Sequence, residues 1–164
     1  KSISGVENIA PMSSIGVVSN HPPLLALSLS ENREGRPRDT LVNLQEGGIG
    51  SEASIFVLNA DLESASAVNK TVKLVPREKS EWDFLPESPP NYESALCAIR
   101  CRVVDFYKLP EDAVSTLVIF RVEEIEAPEG VDSTSLPVKL FQIGFDQLGP
   151  GPNDSDWRSK IDYA

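Results

Sequence analysis

Apolar and polar residues alternate with a period of two through much of this chain, the pattern of strands half buried against a core. In PLLALSLS, Leu25, Leu27 and Leu29 share one face while Ala26, Ser28 and Ser30 share the other. Further on, Cys97, Ile99, Cys101 and Val103 lie opposite Arg100 and Arg102. Val118, Phe120 and Val122 repeat the pattern, but Leu117 and Ile119 make their opposite face apolar as well. That predicts burial on both sides, one lining a barrel and the other meeting a helix or a second subunit. Strands are predicted over 10–18, 24–30, 53–59, 95–106 and 115–125. Two short helices fall between them. Asp39 or Thr40 can cap one over 41–46 that Gly47 and Gly48 stop, and Asp61 can cap another running to about residue 69. Prolines concentrate over 76–90 and recur from Pro128 through Pro137, Pro150 and Pro152, predicting loops or extended arms. The expected fold is a mainly β, antiparallel barrel with a few short helices, one domain over 1–164 with residues 127–164 as a tail or arm.

Length and charge narrow the class. The 164 residues suit one domain with a real core, and 40% hydrophobic with 24% charged residues is globular composition. A net charge of −10, from 25 acidic and 15 basic residues, opposes binding to nucleic acid, whose phosphates need clustered Lys and Arg. No apolar run approaches the roughly 20 residues of a membrane helix, and KSISGVENIAP lacks the features of a signal peptide, so a soluble, cytoplasmic protein is expected. Cys97 and Cys101, four residues apart on one strand, would sit roughly 13 Å from each other, too far for a disulfide, and are expected to be buried, unreactive core residues. The sequons at Asn69 and Asn153 are too short to outweigh a reducing setting.

Three stretches offer chemistry. In NIAPMSS, residues 8–14, Pro11 lacks a backbone donor and suits a strand edge or bulge that presents backbone groups to a ligand, with the Ser13 and Ser14 hydroxyls beside it. In SNHPPLLALSLS the small, polar face of Ala26, Ser28 and Ser30 leaves room for a flat ligand. In GRPRDTLVNL, Arg36 and Arg38 lead into a helix N-terminus, either a phosphate site in outline or a solvated loop before a capped helix. His21, the only histidine, is a loop residue or a weak candidate for acid–base work. One His and two strand-facing Cys provide neither the count nor the spacing of a metal site, so none is expected. Trp82, Phe84, Tyr92, Trp157 and Tyr163 either anchor arms or cover a ligand, and Glu123, Glu124 and Glu126 read as a solvated strand end.

NIAPMSS, SNHPPLLALSLS, RPRDTLVNL, IFVLNADL, PPNYESALCAIRCRVVDF and STLVIFRVEEI, in that order, resemble the flavin reductase-like, FMN-binding split-barrel family over roughly residues 5–126. The resemblance implies a homodimer that binds FMN and acts as an oxidoreductase with NADH or NADPH as donor; no Rossmann G-x-G-x-x-G appears in the chain. It implies that Asn8, Ala10, Pro11 and Ser13, with Ser14 beside them, edge the ring or ribityl chain, that Ser28 lies toward the phosphate side, and that Arg38 and Thr40 hold the phosphate. Asn59 matches a family asparagine. Two departures stand out. The family's first strand and hairpin have no counterpart before residue 8, so the expectation is that a strand precedes the given sequence, the alternative being a barrel that lacks it. The tail FQIGFDQLGPGPNDSDW lacks the family's Arg-Leu-Gly-Gly run, which predicts an altered pocket wall. A flavin carrier without turnover, or a degenerate barrel acting through protein contacts, are the competing expectations.

Overall fold

The computed structural model describes residues 1–32, 34–127, 129, 139–143, 146–150 and 157–162. Pro128, Pro137, Pro152, the Asn153 sequon and Tyr163 lie outside them. A five-stranded antiparallel sheet runs in the order β1-β2-β5-β4-β3, from β1 (Ile15–Asn20), β2 (Pro23–Ser30), β3 (Glu52–Leu58), β4 (Ala95–Lys108) and β5 (Ser115–Glu126). Helix α1 (Asp39–Gly47) joins β2 to β3, and α2 (Leu62–Thr71) follows β3. The tail forms a second, three-stranded sheet from β6 (Phe141–Ile143), β7 (Gln147–Gly149) and β8 (Ser159–Lys160), where loops were expected. It abuts the first sheet, since the Leu140 N–H donates to the Leu58 carbonyl at 2.9 Å.

The alternation read from the sequence sets the phase of the core. Leu25, Leu27, Leu29, Cys101, Val103, Val118 and Phe120 form one buried cluster, and Leu41 and Leu44 of α1 join it. Two irregularities bend the long β4–β5 ladder: Arg100 pairs with Glu124 but Cys101 with Val122, and Val103 pairs with Phe120 but Asp105 with Ile119. Each leaves one residue unpaired, which kinks and coils the strands, so the sheet curls around its own core. Outward-facing Arg100 and Arg102 are held by Glu126 at 2.6 Å and Glu52 at 2.7 Å. A separate cluster of Ala65 and Val68 with Leu148 and Ile161 fixes α2 to the tail sheet, and half-buried Trp157 packs against it. Asn69 joins that contact, donating to the Lys160 carbonyl and accepting from the Asp162 N–H, so its side chain is engaged in the fold.

Several local expectations are corrected. The first strand begins at Ile15, not at residue 10, because residues 7–14 are fastened by side chains rather than by a ladder and Pro11 has no N–H to contribute. Neither Asp39 nor Thr40 caps α1: the N-cap is Arg38, and no side chain caps the helix. Its C-terminal end follows the expectation, with Gly48 at φ 71° donating back to the Leu44 carbonyl. Asp61 caps α2 as expected, accepting from the Ser64 N–H at 2.7 Å. The proline-rich stretch carries a 3-10 turn, Glu81–Phe84, whose Trp82 packs with Tyr92 against Phe56 at ring separations of 5.9–6.4 Å. Trp82 and Tyr92 therefore anchor this arm, whereas Phe84 is exposed.

The cysteines are both free, but they differ. Cys101 is buried, which pushes its thiol up to about 11, while Cys97 is only half buried and its thiol, also raised by burial, is partly offset by Lys139. The expectation of two buried thiols holds for Cys101 alone. At mildly alkaline pH a thiol reagent should modify Cys97 slowly in the native protein and Cys101 only on unfolding. Stopped-flow labelling that counted two fast thiols in the native state would refute this. Among the described residues no helix is long and apolar enough to cross a membrane.

Candidate functional site

The connection from β2 to α1 is a tight turn built on Asn32. Its side-chain oxygen accepts from the N–H groups of Glu34 and Arg36, and a bridge between Glu31 and Pro37 closes the turn. This geometry separates the two arginines. Arg36 turns back onto Glu34 at 2.7 Å, whereas Arg38 is delivered to the N-cap of α1 with extended backbone, φ −63° and ψ 141°. The first bond inside the helix runs from the Val42 N–H to the Arg38 carbonyl at 3.1 Å. The N–H groups of Asp39, Thr40 and Leu41 thus point out of the helix end without a side-chain cap, where the helix dipole favours negative charge. The half-buried Arg38 guanidinium makes no ion pair or hydrogen bond with another described residue. Asp39 would oppose an anion there, but Arg77 sits on its carboxylate at 3.4 Å and reaches Glu46 at 2.7 Å with its other nitrogen.

Residues 7–14 are laid beside this helix end by side-chain hydrogen bonds. Asn8 bridges two elements: its Oδ1 accepts from Thr40 Oγ1 at 2.8 Å, and its Nδ2 donates to Glu81 Oε2 at 3.0 Å. Ser80 Oγ donates to the Glu7 carbonyl at 2.6 Å while accepting from the Trp82 N–H. At the far end of the segment Ser14 Oγ donates to the Ser28 carbonyl at 2.6 Å, and the Ser28 N–H donates back to the Ser14 carbonyl. The structure therefore joins Asn8 to Thr40 and Ser14 to Ser28, with half-buried Ala10 and Pro11 and exposed Ser13 spanning the interval. His21 is not brought to this place. It is exposed in the β1–β2 turn, seven residues from Ser14 and hence roughly 20 Å away along the strand. Asn59 is engaged elsewhere, in a bridge with Lys139. Among the described residues no three His, Cys, Asp or Glu side chains converge where they could hold a metal ion.

Three members of this constellation were not singled out from the sequence: Glu81, Ser80 and Arg77. Glu81 is 8% exposed, and burial raises its carboxyl above the usual range, partly countered by hydrogen bonds from its own N–H, from Asn8 and from the Ile9 N–H. Ser-Glu-Trp, four residues after Pro76, carries a helix-start signal at Ser80, but only the packing of Trp82 reveals that the acid beside it is buried.

Residues 3–149 match the flavin reductase like domain. The chain belongs to the flavin reductase-like family. The family match runs beyond the residues that carried the sequence resemblance, past 126 and into β6 and β7. A protein of Halalkalibacterium halodurans is 32% identical over 112 residues, which is 63% of this chain and 51% of that protein. The chain spans about half the length of the curated relatives it matches. Among solved structures, nitrilotriacetate monooxygenase component B from Bacillus cereus superposes with a TM-score of 0.75 at 20% identity, covering 95% of this chain and 82% of that one. An FMN-binding protein from Thermus thermophilus gives a TM-score of 0.66 at 17% identity, covering 97% and 81%. At such identities these likenesses establish the fold, the split barrel of flavin reductase-like proteins.

Proposed function

We propose that this flavin reductase-like chain binds FMN beside α1 and serves as an FMN-dependent oxidoreductase with NADH or NADPH as donor. The observation that carries the reading is the Arg38 guanidinium, which has no ion pair or hydrogen bond among the described residues and stands at the N-cap of α1 in a protein of net charge −10. Arg36, Arg77, Arg100 and Arg102 each pair with a carboxylate; Arg121, like Arg38, has no ion pair among the described residues, but it is exposed on a strand, whereas Arg38 is half-buried at a helix end. A phosphate dianion fits the vacant valences: a planar fork with two or more donors, plus the N–H groups of the first turn. Ser28, expected toward the phosphate, lies on the face of β2 opposite the one that carries Leu25, Leu27 and Leu29 and packs against α1, so its hydroxyl is not counted among the donors at the helix end. Thr40 contributes its backbone N–H, because its hydroxyl proton is already given to Asn8. The side chains of Asn8 and Ser14 are likewise committed, so these residues, with Ala10, Pro11 and Ser13, edge the ring and ribityl chain mainly through backbone groups.

Bound flavin supplies the hydride and electron transfer; the chain's residues bind it, orient it and balance its charge. The name of the Thermus neighbour, an FMN-binding protein, agrees with the ligand. A second copy completes the proposal. The outward face of β5 carries Leu117 and Ile119, flanked in register by Ala26 and the exposed Tyr107 and by Ser28 and Asp105, a mainly apolar surface with a polar margin suited to a partner. Light scattering should return about twice 17.9 kDa at micromolar concentration. For the activity, purified protein should bind FMN with a shifted visible spectrum and oxidise NADH or NADPH faster when FMN is added. Binding without oxidation favours a flavin carrier, and no binding favours a barrel that works through protein contacts.

A further inference from the structure

Glu81, Asn8 and Thr40 come from three separate segments and form one chain of hydrogen bonds that ends at the N-terminus of α1. Its direction is dictated by chemistry. An ionised carboxylate can only accept, so Asn8 must present Nδ2 to Glu81 and Oδ1 to Thr40. The Thr40 hydroxyl has one proton, and that proton is then spent on Asn8, leaving only lone pairs toward the helix end. If Glu81 takes up a proton from solvent, its O–H can donate to the Asn8 oxygen. The amide turns over, Nδ2 donates to Thr40 Oγ1, and the Thr40 proton is released to point elsewhere.

We propose that Glu81 is a positioning residue for the anion held at α1: its protonation reverses the Asn8–Thr40 hydrogen bond and makes the Thr40 hydroxyl a donor to a phosphoryl oxygen. This rests on the reading of α1 as the flavin phosphate site. Burial outweighs the N–H groups of Glu81 and Ile9 that hold the carboxylate, so the balance is tilted toward uptake of that proton. Glu81 is buried, and Asp39 on α1 pushes its carboxyl in the same upward direction. Around it, Glu7 is paired with Lys1 at 3.6 Å, Arg77 is spent on Asp39 and Glu46, and Glu63 and Lys70 on α2 and Asp83 on its own turn are solvent-exposed. A dianion bound at the helix end would raise the Glu81 carboxyl further, so ligand and proton bind with mutual support. The sign follows: the donor form of Thr40 prevails below the raised Glu81 value and is lost as pH rises through it.

The test is a set of FMN titrations by fluorescence quenching from mildly acid to alkaline pH, with wild type and Glu81→Gln, and riboflavin as the ligand without phosphate. Glutamine can donate to Asn8 at any pH and so imitates the protonated acid. The ligand's own phosphate titrates near pH 6 and acts equally on both proteins. Both should bind FMN alike in acid, and wild type should fall behind by on the order of tenfold in alkali, with riboflavin unmoved. In a Thr40→Val background Glu81→Gln should make no difference, which separates the relay from a general effect of removing a buried charge. Parallel FMN profiles for wild type and Glu81→Gln, or an advantage of glutamine that persists in Thr40→Val, would overturn the role of Glu81. Failure of wild type to bind FMN at every pH would instead defeat the flavin reading, and this proposal with it.

Discussion

Arg38→Ala should weaken FMN binding by about one to two orders of magnitude and leave riboflavin binding close to its wild-type value. The magnitude follows from a charge-assisted contact, about 1.5–3 kcal/mol. The selectivity follows from position: Arg38 stands at the helix end where a phosphate would sit, and its side chain ties no other described element together. Loss of the guanidinium should therefore act on the ligand and not on the fold. Paired fluorescence titrations with FMN and riboflavin decide the matter. Equal weakening of both ligands would mean that Arg38 acts through the fold; no change in either would place the phosphate elsewhere. Arg36→Ala is the internal comparison, since Arg36 is held by Glu34 and exposed, and it should change neither titration appreciably.

Phe120→Ala should destabilise the protein by about 3–5 kcal/mol, a large part of what a domain of this size possesses. Phe120 is 1% exposed, at the middle of β5, directly opposite Leu25 on one side and Val103 on the other. Truncation leaves a cavity between two strands that pair with their other neighbours and cannot collapse into it. Val114→Ala, at a side chain 65% exposed before β5, should stay within about 0.5 kcal/mol of wild type. Urea denaturation followed by tryptophan fluorescence, from Trp82 and Trp157, measures both. A Phe120→Ala midpoint indistinguishable from wild type would show that the centre of the core lies elsewhere.

What was legible in the sequence was whatever depends on local period and local capping. Leu25, Leu27 and Leu29 announced the buried face of β2 because a two-residue repeat survives any tertiary arrangement, and Asp61 announced α2 because an N-cap needs only the next three residues. Cys101 and Val103 faced the core as read, and the positive pair Arg100 and Arg102 faced outward. What was not legible depends on contacts between distant segments. Residues 10–14 read as strand because their composition permits it; the Asn8 and Ser14 side chains determine otherwise, through partners 32 and 73 residues away for Asn8 and 14 for Ser14. Cys97 alternates in phase with Cys101 yet is less buried, since it lies farther from the middle of the core that α1 closes. Glu81 looked like any surface acid until the packing of Trp82 against Phe56 and Tyr92 drew it inward. The small tail sheet was hidden by its own brevity, with strands of two or three residues that carry too little pattern to count.

The way residues 7–14 are fastened has a kinetic side. A ladder strand leaves a sheet only by giving up many backbone bonds together, whereas this segment is retained by the side-chain bonds of Asn8, Ser14 and Ser80 and by the packing of half-buried Met12 against the core. Each bond contributes about 0.5–1.5 kcal/mol, so the segment can detach at a free-energy cost well below that of global unfolding, with the curled sheet and α1 intact behind it. If these residues edge the isoalloxazine ring, the lifetime of the complex is governed by how often the segment peels away rather than by the sum of the ligand's contacts. Flavin would then exchange at a rate that tracks amide hydrogen exchange at Ile9 and Ala10, so that a ligand held firmly at equilibrium would still leave quickly.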